Sequence, residues 1–133
     1  MFEQILFPVD QSRETSQATQ IVADIAQRYG SRLILLSVLD QSLLESDQVE
    51  AARQTLKGLL QQSESAFQQV GIPSIKSEYR EGRVPFIICD VADELGADLI
   101  IMGSKGLGMD EDPSHSVSNR VINLAPCPVL VVP

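Results

Sequence analysis

The stretch DLIIM, Asp98 to Met102, runs directly into GSKGLG, Gly103 to Gly108, and the join between them decides the fold. Five residues are too few for a helix, and a continuous apolar run suits a strand covered on both faces. Glycines immediately beyond it mark a strand-to-helix turn. Working outward, Val84, Ile87, Ile88, Val91 and Leu95 recur at helical spacing just upstream, with Pro85 in the first turn, where a missing N–H costs nothing. Downstream, the pattern predicts a helix over about 114–124 and a closing strand, PVLVV, from Pro128 to Val132. The same alternation fills the first half. EQILFPV, Glu3 to Val9, reads as a strand ending at Asp10. Ala18, Ile21, Val22, Ile25, Ala26 and Tyr29 then form one helical stripe, with Ser12 as N-cap and Gly30 as stop. RLILLSVL, Arg32 to Leu39, is a strand buried on both faces. Residues 46–70 carry the longest helical stripe, through Ala52, Leu56, Leu59, Ser63, Phe67 and Val70, closed by Gly71 and Pro73; Ser74 to Glu81 alternates like a peripheral strand.

Strands alternating with helices of this length predict an α/β fold, a five-stranded parallel sheet with helices on both faces. Ligands of such sheets bind beyond the carboxyl ends of the strands, where the strand order reverses. Two loops fall there, one with Asp10 and one with Gly103 and Gly106. Nothing interrupts the order, so residues 1–133 are expected to form one domain.

Composition narrows the functional classes. A formal net charge of -8 argues against nucleic acid, which needs clustered Lys and Arg. No apolar run approaches the ~20 residues of a membrane helix, so no membrane association is expected. The opening MFEQILFPVD lacks the basic and long apolar segments of a signal peptide, which makes the cytoplasm the expected location. Cys89 and Cys127 have neither CxxC spacing nor a neighbouring His and read as buried small hydrophobes. His115 is the one histidine, so no metal site is expected.

Three pieces, ILFPVDQS (Ile5 to Ser12), ADLIIMGSKGLG (Ala97 to Gly108) and SVSNRVINLAPCPVLVV (Ser116 to Val132), resemble universal stress proteins in content, order and separation, over essentially the whole chain. The resemblance implies a Rossmann-like sheet, of the adenine nucleotide alpha hydrolase-like kind, ordered 3-2-1-4-5. It also implies a homodimer made through the last strand, here Val129, Leu130, Val131 and Val132. ATP-binding members of that family place adenine between the loops after strands one, two and four, and phosphates against G-x2-G-x9-G-[S/T]. By similarity Pro8, Val9, Asp10 and Val38 lie around the base and ribose, and Met102, Gly103, Ser104, Gly106, Ser116, Val117 and Ser118 line the nucleotide site. The residue chemistry agrees with that role. Glycines can reach φ > 0 and admit a phosphate closely, and serines at a helix start sit where unpaired N–H groups favour anions. Each residue also has a plainer reading: Gly103 and Gly106 as a simple turn, Asp10 as a cap for the following helix, Ser116 as a helix-start residue.

The chain departs from the family pattern after Gly106. Aligned by VSNRV, only Leu107 to Ser114 intervene before His115 and Ser116. With nine residues kept, Ser116 and Val117 take the last two positions. Under either alignment the third glycine is gone. Asp110, Glu111 and Asp112 precede Pro113, and Asp112-Pro113 is a good helix opening that would occupy N–H groups a γ-phosphate needs. Three exposed acids together oppose a triphosphate by about tenfold or more. AMP, a cyclic nucleotide or metal-bridged ATP is therefore expected to be tolerated better than free ATP, with Mg²⁺ entering only through the nucleotide. The plainer reading of the acidic triplet is a solvated loop.

Three functions remain: a regulatory dimer binding an adenine nucleotide (ATP or AMP) with a signalling partner of unknown kind; an interaction module working through its dimer surface and acidic loop; and a slow ATP hydrolase. The last ranks lowest, because neither a base nor a cationic clamp for a γ-phosphate can be assigned, Lys105 facing solvent in the simplest reading.

Overall fold

A computed structural model describes residues 1–10, 13–104 and 116–133. Its elements follow in the order β1 (Gln4–Pro8), α1 (Arg13–Tyr29), β2 (Arg32–Leu39), α2 (Val49–Gln69), β3 (Ile75–Glu81), α3 (Val84–Leu95), β4 (Leu99–Gly103), α4 (Val117–Leu124) and β5 (Val129–Val132). All pairings are parallel, and the five strands are ordered β3-β2-β1-β4-β5.

Period-two alternation sends each central strand's side chains to opposite faces. Ile5, Phe7, Val9, Leu33, Leu35, Leu99 and Ile101 face α1 and α2, where Ala18, Val22, Ala26, Leu60 and Phe67 meet them. Leu6, Ile34, Leu36, Ile100 and Met102 face α3 and α4, against Ile88, Val91, Ala92 and Val121. Burial on both faces explains why β1, β2 and β4 are predominantly apolar. The two glycines expected to end helices have positive φ, Gly30 at 63° and Gly71 at 93°, and Gly96 caps α3 at φ 70°.

The helical stripes need correction at their margins. Ile21, Tyr29 and Val70 are exposed, and Leu60 rather than Leu59 is the buried leucine of α2. In α1 the innermost line is Ala18, Val22 and Ala26, which puts Ile21 on its flank. Tyr29 stands edge-on to Phe2 at 5.3 Å instead of entering the core. Val70 is already the C-cap of α2, past the last turn that packs. Helix α4 starts at Val117 with Ser116 as its N-cap, the Ser116 hydroxyl accepting the Asn119 N–H at 3.1 Å; Ser114 lies outside the described residues. Ser12 and the Asp112-Pro113 opening lie outside the described residues.

Candidate functional site

The order β3-β2-β1-β4-β5 reverses between β1 and β4, and the ladder there is short. β1 pairs with β2 from Gln4↔Arg32 to Pro8↔Leu36, but with β4 only at Ile5↔Leu99 and Leu6↔Ile100. Beyond that point both strands continue without the ladder joining them, and Pro8 has no N–H to offer. In open α/β sheets, ligands bind outside the carboxyl ends of the strands at such a switch point.

Around it the structure brings together most of the residues singled out from sequence. Pro8 ends β1 with Val9 and Asp10 directly after it, Val38 is near the end of β2, and Met102 and Gly103 end β4 with Ser104 directly after them. The start of α4 is tied to β4 by its own hydroxyls. Ser118 Oγ donates to the Ser104 carbonyl at 3.1 Å and lies 3.4 Å from Ser116 Oγ, while the Ser104 N–H donates to the Val132 carbonyl at 2.9 Å. Ser104 Oγ is buried and has no hydrogen-bond partner among the described residues. Gly106, Lys105, the acids Asp110, Glu111 and Asp112, and His115 lie outside them.

Met102 and Val9 are 0% and 2% exposed and belong to the two cores. Val117 is half-buried against the α3/α4 core, as is Val38. Gly103 is the last residue of β4. On β5, Val132 is buried and Leu130 is the exposed side chain.

Sequence reasoning missed Thr15. It lies in the first turn of α1, 7% exposed, and its hydroxyl donates to Asp10 Oδ1 at 2.5 Å. A hydroxyl five residues after an acid that ends a strand was the available signal. It also missed Ser37, fully buried on β2 beside Tyr79, whose hydroxyl has no partner among the described residues.

Cys89 and Cys127 are free and half-buried, less enclosed than expected, and burial pushes both thiols up, away from the reactive thiolate. Among the described residues there is no cluster of three or more His, Cys, Asp or Glu that could hold a metal, and no helix long and apolar enough to cross a membrane.

The fold defines a class: a Rossmann-like α/β protein whose strand order reverses between β1 and β4. The family model of the Universal stress protein family matches residues 1–133. Universal stress protein Sll1654 of Synechocystis is 49% identical over 138 residues, covering 100% of this chain and 87% of that protein. The chain belongs to the universal stress protein family. Among solved structures, protein MJ0577 superposes with a TM-score of 0.85 at 27% identity, over 99% of this chain and 96% of that one. A universal stress protein in complex with cAMP gives 0.79 at 19% identity, over 98% and 96% of the chains. The universal stress protein from Archaeoglobus fulgidus in complex with dAMP gives 0.74 at 20%, over 99% and 98%. At those last two identities the likeness concerns the fold.

Proposed function

We propose that this chain is a regulatory, non-catalytic protein that binds an adenine nucleotide at the switch point between β1 and β4 and works as a cytoplasmic homodimer. The observation that supports the reading is the short β1–β4 ladder at the switch point, near whose end Asp10, Gly103 and Ser104 follow their strands, with Ser116 and Ser118 tied to Ser104. Asp10 is the acceptor for ribose or base donors. The hydroxyls of Ser104, Ser116 and Ser118, at the start of α4, are the polar groups nearest a phosphate. Solved proteins of the same fold carrying cAMP and dAMP support an adenine ligand.

The departures after Gly106 make the preferred ligand a monophosphate, with Mg²⁺ bound only as part of a metal–ATP complex. Titration calorimetry in metal-free buffer tests this. AMP is expected to bind roughly tenfold tighter than free ATP, and Asp10→Ala to weaken AMP by about tenfold or more. ATP binding at least as tightly as AMP contradicts the preference, and unchanged AMP binding by the variant contradicts the assignment of Asp10.

For the dimer, β5 is an edge strand paired only to β4 among the described elements, with Leu130, Ile122 and Leu124 exposed nearby in sequence. Antiparallel pairing of two β5 strands would cover both edges at once. A monomer at micromolar concentration in equilibrium sedimentation rules it out. The exposed apolar residues are also what an interaction module would use, and nucleotide retained through purification, detected by mass spectrometry, separates the two readings.

A further inference from the structure

We infer that Arg53 is a positioning residue for the nucleotide site: acting through Glu81, it holds the segment that leaves the carboxyl end of β2 just after Val38 and Leu39. The inference rests on the nucleotide reading above.

The segment leaves the carboxyl end of β2 directly after Val38 and Leu39 and makes a short 3-10 turn, Gln41–Leu43. Packing does not hold it, since the turn buries no residue and Leu43 is 69% exposed. Its internal bonds are local: Asp40 Oδ1 accepts the Ser42 N–H at 3.0 Å and the Ser42 hydroxyl at 2.6 Å. The outward tie is Gln41, whose Nε2 donates to Glu81 Oε1 at 2.5 Å.

Glu81 is where three elements meet. It ends β3, next to Leu39 in the β2–β3 register, and the Gly82 N–H donates to the Leu39 carbonyl at 2.9 Å. Its carboxylate receives Arg53 Nε at 2.7 Å and the Tyr79 hydroxyl at 2.6 Å on Oε2, with Arg53 Nη2 at 3.4 Å on Oε1. With Gln41 these donors fill the roughly four acceptor positions of a carboxylate. Arg53 comes from α2 and also pairs with Glu50, and Lys57 lies 5.0 Å above the Tyr79 ring. Of Glu81's partners only Arg53 brings charge, two donors and a different helix. Without it the carboxylate is free to turn toward solvent, and Gln41 loses a fixed acceptor.

Magnitude decides what this contact can do. The side chains of Arg53 and Glu81 are 28% and 31% exposed, and partly solvated pairs change an equilibrium by up to about fivefold. That is too small to govern folding and sufficient to set how often an exposed segment opens.

The test compares wild type, Arg53→Met and Arg53→Lys in the intact chain by amide hydrogen exchange and AMP release. The Leu43 and Leu44 amides, which donate to the Asp40 and Gln41 carbonyls, are expected to exchange about threefold to fivefold faster in Arg53→Met. AMP should leave faster by a similar factor, Arg53→Lys should fall between, and the core Ile100 amide, bonded to Pro128, should not change. Unchanged exchange at Leu43 and Leu44 overturns the inference, as does equal acceleration at Ile100, which would make Arg53 merely structural. Faster exchange with unchanged AMP release also overturns it. A wild-type chain that binds no AMP contradicts the nucleotide reading and with it the role toward a ligand, and exchange alone then decides whether Arg53 clamps the segment.

Discussion

The two ends of the sheet differ in how completely the polar side chains of the described residues are satisfied. At the amino edge, polar groups from several elements are committed to backbone. Asp98 accepts the Glu3 N–H and the Gln4 N–H, each at 2.9 Å, through its two carboxylate oxygens. The Ser31 hydroxyl donates to the Phe2 carbonyl, Gln4 Nε2 to the Gly96 carbonyl at 3.3 Å, and Gln27 Nε2 to the Val70 carbonyl at 2.6 Å. At the carboxyl edge Asp10 Oδ1 accepts the Thr15 hydroxyl, and Ser104 Oγ stays without a partner among the described residues. The amino edge is a seam that closes the fold. The carboxyl edge, where the β1–β4 ladder has ended, is where we propose that the ligand binds.

The largest effect that could break this contrast is at Asp98. Asp98→Ala removes two charge-assisted bonds that hold the start of β1 to β4, and should cost about 2 kcal/mol in urea unfolding while leaving AMP affinity unchanged. A variant of normal stability with impaired AMP binding would reverse the roles assigned to the two edges.

A smaller effect concerns acid. The Arg53 hydrogen bonds, then that of Tyr79, hold the Glu81 carboxyl down at about 2, from an ordinary 4.5. Gln54, then Arg53, lowers Glu50, while Arg53 itself is raised, chiefly by Glu81, and Lys57 faces the Tyr79 ring. A depressed carboxylate contributes fully above its unfolded value and loses that contribution as pH falls toward its folded value. The tie between Gln41 and β3 should therefore weaken between about pH 4.5 and 2. NMR titration of the Glu81 carboxyl checks the midpoint, and one near 4.5 would mean that the Arg53 contact does not persist in solution.

The smallest effect sharpens the contrast from inside the sheet. Ser37 is 0% exposed with an unpaired hydroxyl among the described residues. Replacing an orphan polar group by a methyl relieves its desolvation at the cost of a small void. Ser37→Ala should thus raise stability by about 0.5 kcal/mol, and a clear loss in thermal unfolding would show that the hydroxyl has a partner in solution.

What the sequence made legible follows from which forces are local. β2 spans Arg32–Leu39 as expected, because an eight-residue apolar run with Gly30 before it has no competing periodicity. The strand order came with the family resemblance, and Asp10 and Gly103 fell at strand ends that any alternating α/β pattern would mark. Other features escaped. The early end of the β1–β4 ladder depends on pairing between residues 94 apart, such as Leu6 and Ile100. Arg53 and Glu81 are 28 apart in sequence, on elements whose spacing shows only amphipathicity. Thr15 and Ser37 look like any other hydroxyl until burial separates the bonded one from the unbonded. Val70 kept the helical spacing but sat one residue past the packed turn.

The most direct test of the central claim is an NMR titration of the ¹⁵N-labelled chain with AMP, following every assigned amide. The contrast between the edges predicts shifts at Asp10, Val38, Gly103, Ser104 and Ser116 to Ser118, with Glu3, Gln4 and Asp98 unmoved. Shifts confined to the amino edge, or none at millimolar AMP, would contradict it.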